Sequence, residues 1–275
     1  MSNENIPTSS FAPTKDEVSK EDWEKLTLRD KLWGTTKKVH RRALKFRELK
    51  AAIALANHQI YRTVLKDFYY VFKTFEEIWE EEKANSTVLS DAYMPELLRT
   101  RNIEKDLEFY YGKDWLRAVY RTPIVRDYEN HIREVAKTRP EVLIAYGYAF
   151  YLGIFAGGQI MRSKITRSAG KFFKFAANQV TDPFFDGLQV FFFRDSKTME
   201  PLELAKLRKD YIEKINSLEV DAELENMLID ELLEIHRRND LIIGSIKGTE
   251  LVIAQWVCYF ISLLVVFIYA KRIFF

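Results

Sequence analysis

Apolar residues recur along most of this chain at helical spacing, and polar runs carrying proline or glycine separate them. No stretch sustains the strict alternation of a half-buried strand, so the pattern predicts an all-α protein. Met1 to about Glu21 has no apolar period and carries Pro7, Pro13 and several serines, which reads as a disordered lead. From Thr27 the pattern turns helical. Thr27 and Asp30 resemble a capping box, and Leu28, Leu32, Thr36, Val39, His40 and Ala43 share one face. Further helices are expected over residues 51–83, from 95 to Gly112, in a short turn at 115–120, over 125–137, from Pro140 onward, and over 201–218 and 222–239. Between them, residues 168–197 form an aromatic loop, with either a short strand or an irregular packed cover at 188–193.

Two apolar stretches stand out. Residues 142–160 read V-L-I-A-Y-G-Y-A-F-Y-L-G-I-F-A-G-G-Q-I, without a charge and with glycines at 147, 153, 157 and 158. Each glycine costs a helix up to about 1 kcal/mol relative to alanine, so four need a compensating reason. Three readings fit: a flat ligand lying against bare helix backbone, a membrane helix with a G-x-x-x-G face, or close packing of another helix. Residues 251–270 carry no charge and are followed by Lys271 and Arg272. At about 1.5 Å per residue such a run spans about 30 Å, one hydrocarbon core, which predicts a transmembrane tail anchor with the rest of the chain on the cytosolic side. The expected organisation is a disordered segment at 1–22, a helical domain at 23–240, a linker at 241–250, the anchor at 251–270 and a short tail at 271–275.

The chain has 275 residues, 47% of them hydrophobic and 14% aromatic, ample for a sizeable core. A net charge of +2 from 42 basic and 40 acidic residues gives no reason to expect a nucleic-acid partner. The single cysteine, Cys258, excludes an internal disulfide and a cysteine-based zinc cluster. None of the four histidines, His40, His58, His131 and His236, sits in H-E-x-x-H or in the E-x-x-H of di-iron bundles, and no phosphate loop, dinucleotide fingerprint or G-x-S-x-G elbow is present. What remains is one histidine on an apolar helix face and one glycine-rich helix. Together they suit a haem clamp, His40 below and the Gly153–Gly158 backbone above; a hydrogen-bonded core histidine is the alternative.

The motifs T-K-K-V-H at 36–40, M-P-E-L-L-R at 94–99, E-K-D-L-E-F-Y-Y-G-K-D-W at 104–115, T-P at 122–123, R-P-E-V-L at 139–143, Y-x-x-Y-L-G-x-x-x-G-G-Q at 148–159 and N-S-L-E at 216–219 occur in order. Over roughly residues 28–240 the chain resembles the haem oxygenase family, most closely its fungal membrane-anchored members. That resemblance implies cleavage of haem b, both substrate and cofactor, to biliverdin, ferrous iron and carbon monoxide. It also implies electrons from NADPH through a flavin reductase, and a cytosol-facing body on the endoplasmic reticulum membrane. By it, His40 corresponds to the proximal iron ligand, Gly153, Gly157 and Gly158 to the distal helix glycines, and Lys37, Tyr148 and Arg208 to residues near the propionates. The basic side chains Lys38, Arg41, Arg42 and Lys45 read as a solvated face, as a surface for anionic lipid beside the anchor or, by the resemblance, as a reductase-docking patch. The family's distal carboxylate falls at Ile154, the acidic partner of the proximal ligand at Leu44, and a second propionate cation at Ile212. The apolar Ile154 leaves a rival expectation, a non-catalytic haem-binding or haem-sensing membrane protein.

Overall fold

A computed structural model of the chain describes residues 13–37, 57–167, 186–193 and 201–274. Among these residues every regular element is helical and none is a strand, as the spacing of apolar positions requires. In chain order the helices are α1 (Lys20–Glu24), α2 (residues 28–37), α3 (His58–Glu82), α4 (Thr87–Ala92), α5 (Thr100–Tyr111), α6 (Trp115–Ala118), α7 (Pro123–Thr138), α8 (Leu143–Gly153), α9 (Gln159–Arg167), α10 (Pro201–Ser217), α11 (Ala222–Ser245) and α12 (Thr249–Phe274). His40, with Lys38, Arg41, Arg42, Leu44 and Lys45, lies outside the described residues.

Local chemistry fixes most of the boundaries. Ser19, Asn57, Ser86, Thr122 and Asp221 each accept a backbone N–H from the first turn of the helix that follows, which satisfies donors no helix can satisfy internally. Asp30 N donates to Thr27 Oγ1 at 3.2 Å and Thr27 Oγ1 donates to the Asp30 carboxylate at 3.0 Å, so the pair read from the sequence does cap α2. Pro123 takes the first position of α7, and Gly112 ends α5 at φ 86°, a backbone angle that side chains disfavour. Residues 188–193 hold a 3-10 turn at Gln189–Phe191, which decides for the packed cover over the strand.

The core forms around α3, whose Leu65, Tyr69, Phe72, Phe75 and Trp79 are buried against α5, α7 and α8. Phe75 stacks on Phe150 at 5.7 Å between ring centroids. The run at 140–167 is long and apolar enough to cross a bilayer, yet 61% of its apolar window is buried in the body and Leu143, Ile144, Ala145 and Tyr146 are inaccessible. It is a core helix, and the membrane reading of this stretch does not hold.

Two expected boundaries shift. Residues 13–21 of the expected disordered lead are structured: Thr14 is buried, Glu17 closes a capping box with it, and Gly34 passes so close that a Cβ would sit 2.0 Å from the Pro13 carbonyl oxygen. Trp23 Nε1 and Lys31 Nζ both reach the Glu225 carboxylate, at 3.3 and 2.7 Å, tying this segment to α11. Composition misled here because a few long-range anchors order a polar segment. The expected linker at 241–250 is also mostly structure, since α11 continues to Ser245, and Ile242, Ile246 and Thr249 are buried. Beyond it α12 leaves the body with Tyr259, Phe260, Leu263, Phe267 and Tyr269 exposed.

The glycines of 142–160 divide by role. A Cβ at Gly147 would lie 2.7 Å from Trp79 and 2.8 Å from the Tyr211 hydroxyl, whereas at Gly153 or Gly157 it would meet nothing within 4 Å. Gly147→Ala is therefore expected to lower stability by about 1–3 kcal/mol through overpacking, while Gly153→Ala leaves it unchanged or raised by up to about 1 kcal/mol through helix propensity. Urea denaturation of the detergent-solubilised variants checks the contrast; equal losses would refute the division.

Candidate functional site

Between α8 and α9 the helix passes through one π turn, Ile154–Gly158, where the widened ring interrupts the regular hydrogen-bond ladder. This turn sorts its residues onto two sides. Ile154, Phe155 and Gly158 are buried, whereas Gly153, Ala156, Gly157 and Ile160 are exposed and form one stripe at helical spacing. The exposed side carries backbone and one methyl group over a full turn, so a flat molecule can approach the main chain directly. Phe155 faces the other way, stacked on Phe193 at 4.0 Å with 6° between ring planes. Ile154 also lies on the packed side, with its Cγ2 3.3 Å from where a Cβ on Gly158 would stand.

What keeps the turn in place is a set of buried carboxylates behind it. Glu76 accepts the backbone N–H groups of Arg99 and Thr100, at 2.7 and 2.9 Å, and the hydroxyl of Tyr151 on α8, at 3.1 Å. Burial raises its pKa, against the hydrogen bonds from Thr100 and Arg99. Asp106 accepts the N–H groups of Gln189 and Val190 at 2.7 and 2.8 Å, and so holds the cover segment 186–193 against α5. Arg99 donates to the Phe192 carbonyl, and Gln159 Nε2 to the Phe191 carbonyl at 2.9 Å. Gln159, the polar residue that follows the π turn, is thereby committed to the cover.

A second feature is cationic. Tyr148 is buried and donates to the backbone carbonyl of Arg29 on α2 at 3.2 Å. Arg208 on α10 comes close to both: burial, then the like charge of Arg29, lowers its pKa, and Tyr148 acts the opposite way. Its Nε is buried without a hydrogen-bond partner among the described residues. Asp30 pairs with Arg29 at 2.8 Å, and because a guanidinium does not lose its proton in proteins, the buried unsatisfied donor of Arg208 makes a place that a further anion would complete. Of the residues expected from the sequence, the structure thus gathers Tyr148 and Arg208, and separately Gly153 and Gly157. Lys37 is half-buried at the end of the described part of α2, and Gly158 packs against Phe191 rather than facing the open side. Arg29, Ala156 and Ile160 were missed. Arg29, Trp33 and Lys37 repeat at helical spacing along α2, a signal that puts Arg29 on the same face as the expected site residue Lys37.

The all-helical body superposes on solved haem oxygenases. Heme oxygenase-1 from the cyanobacterium Synechocystis sp. PCC6803, solved in complex with heme, superposes with a TM-score of 0.70 at 28% identity, covering 86% of this chain and 100% of that one. Heme oxygenase-2 from the same organism, solved with heme and NO, gives 0.68 at 26% identity over 80% and 84% of the two chains. The family model described as Heme oxygenase matches residues 26–242, and the chain belongs to the heme oxygenase family. Its curated relatives include heme oxygenase from Rhodella violacea, 37% identical over 50% of this chain and 57% of that one. Heme-binding protein HMX1 of Saccharomyces cerevisiae is 28% identical over 64% and 60%. The chain spans about six tenths of the length of the curated relatives it matches.

Burial moves the Asp106 carboxyl from 3.8 up to about 8, so between these values the folded protein holds a proton that the unfolded chain has released. That contribution to stability is complete below about pH 4 and is lost as pH rises through 8. Asp106→Asn is expected to flatten this part of the pH profile, measured as urea midpoints at intervals across the window; an unchanged slope would refute the assignment.

Proposed function

We propose that this protein is a membrane-anchored haem oxygenase that opens haem to biliverdin, ferrous iron and carbon monoxide with dioxygen and reductase-supplied electrons from NADPH. The observation that carries the reading is the stripe Gly153–Ala156–Gly157, open backbone on a helix that is otherwise core. Bound haem would supply the iron that activates dioxygen. His40 would be its proximal ligand, and Lys37, Tyr148, Arg29 and Arg208 would receive its carboxylates. Holding the carboxylates there would orient the group against the bare turn. Arg29 supplies on α2 a cation that Ile212 does not supply on α10.

The distal turn has no carboxylate, and Ile154 and Phe155 point into packing. Ordering of water on the open side therefore falls to backbone carbonyls, which a π turn releases from the regular ladder and which Gly153, Ala156 and Gly157 leave uncovered. The exposed apolar face of α12 supports the tail anchor, and the body's place on the cytosolic side of the endoplasmic reticulum rests on the same feature together with the resemblance. The rival reading, a protein that holds haem without cleaving it, is favoured by the apolar packing of Ile154 and by the likeness to the yeast heme-binding protein.

Hemin titration followed by chromatography of the products, with NADPH and a flavin reductase present, separates the two. A Soret band and biliverdin are expected; the band without a bilin would leave only the holding role. Independently, Arg29→Ala and Arg208→Ala are each expected to weaken hemin binding roughly tenfold, the value of a charge-assisted hydrogen bond, and to leave hemin dimethyl ester unaffected. Equal losses with the ester would remove these residues from the carboxylate site.

A further inference from the structure

Three helix ends meet at one pole of the body. Helices α7 and α11 run antiparallel, with His131 beside Glu231 at 2.9 Å, Tyr128 beside Asn239 at 3.2 Å and Asp127 beside Arg238 at 2.5 Å. That register places the start of α7 beside the last turns of α11, where Pro123, Ile124 and Leu241 line an apolar depression of about 260 Å³. The start of α3 joins them, because Ile60 and Val64 pack against Ile243 and Ile246, and Lys66 Nζ donates to the Tyr120 carbonyl at 3.4 Å. Helix α12 departs from this same pole, its first residue Thr249 buried in the body.

Only Ile246, Lys247 and Gly248 separate α11 from α12, a reach of roughly 10 Å at full extension. If α12 spans a bilayer, the pole is held at the interface whatever else happens. The end of α5 lies at the start of α3 too, Arg62 standing 4.7 Å over the Tyr111 ring and donating to the Tyr110 carbonyl at 3.3 Å, so residues 113–120 follow from this pole. Leu116 is 62% exposed, Tyr120 70% and Leu241 44%. Interleaved with them are the exposed cations Lys113, Arg117 and Arg126, against Asp114, while Arg121 is paired with Glu129 at 3.5 Å and Asp127 with Arg238. Apolar and aromatic tips among basic side chains match the interfacial zone of a membrane with anionic headgroups.

We propose that this pole is a second, peripheral membrane contact. Leu116 and Tyr120 enter the headgroup region of an anionic bilayer, Lys113 and Arg117 hold its phosphates, and the contact sets the tilt that the positive-φ Gly248 would otherwise leave open. The proposal rests on the tail-anchor reading.

Its test uses the full chain carrying Cys258→Ser and Tyr120→Cys, labelled at the new thiol with an environment-sensitive fluorophore. The protein is reconstituted in vesicles of phosphatidylcholine alone or mixed with phosphatidylserine. Flotation after a carbonate wash reports the anchor; quenching by a headgroup-level doxyl lipid reports the pole. Flotation in both mixtures is expected, with strong quenching where phosphatidylserine is present. Lys113→Glu with Arg117→Glu should reduce the membrane-inserted fraction by about fivefold or more per reversed charge, with hemin affinity unchanged as the check on folding. A chain that floats while the probe stays water-accessible in both mixtures overturns the peripheral contact and leaves the anchor standing. A chain that does not float overturns the anchor, and the proposal with it.

Discussion

One helix in this protein must be packed on one side and bare on the other. Within residues 140–167 Leu143, Ile144, Ala145 and Tyr146 are fully buried, and at Gly153, two helical turns further on, the same helix presents naked backbone. Each bare glycine weakens the helix by up to about 1 kcal/mol, and the π turn weakens it further. The rest of the fold supplies the compensation. Tyr151 is tied to Glu76, Phe155 is stacked on Phe193, and Gln159 is bonded to the cover, so every side chain that could stabilise the turn does so from behind. The open side is left free because the closed side is held so firmly.

That division was only half legible in the sequence. Helix ends were, because caps are local chemistry: Thr27, Pro123 and Gly112 act on their own turns whatever the tertiary context. The glycines were legible as a group and not individually. Which of them relieves a clash depends on Trp79 and Tyr211, residues distant along the chain, whereas Gly153 and Gly157 look the same in sequence and would meet nothing within 4 Å among the described residues. Arg29 was hidden for a related reason, since its significance comes from Arg208 on another helix and from Tyr148 on a third. The ordered residues 13–21 escaped notice because their anchors, Pro13 over Gly34 and Trp23 on Glu225, are few and long-range.

The electrostatics follow from where charge is placed in the body. Glu76, Asp106, Glu129 and Glu231 are all buried, and each binds an element to its neighbour rather than facing open space. Removing a partner from such a group costs about 1–3 kcal/mol, so the acids act as joints that hold the packing of α3, α5, α7, α8 and α11. Cations are used differently. Arg29 and Arg208 share one site although their charges repel, and Arg208 Nε is buried without an acceptor among the described residues. Asp30 answers the charge of Arg29 at 2.8 Å, and Arg208, with its Nε unsatisfied among the described residues, keeps a place for a further acid.

The same reasoning bears on the apolar distal turn. A carboxylate at position 154 would not face the open side, because the backbone there directs that side chain toward Gly158 and Phe191. It would enter a packed aromatic environment and carry the desolvation cost that Glu76 and Asp106 offset with several hydrogen bonds each. The described donor near Ile154, Gln159, is committed to the Phe191 carbonyl of the cover and to the Ile154 carbonyl itself at 3.4 Å. Isoleucine therefore suits this packing, and over the bare stripe the described residues offer main chain and one methyl group.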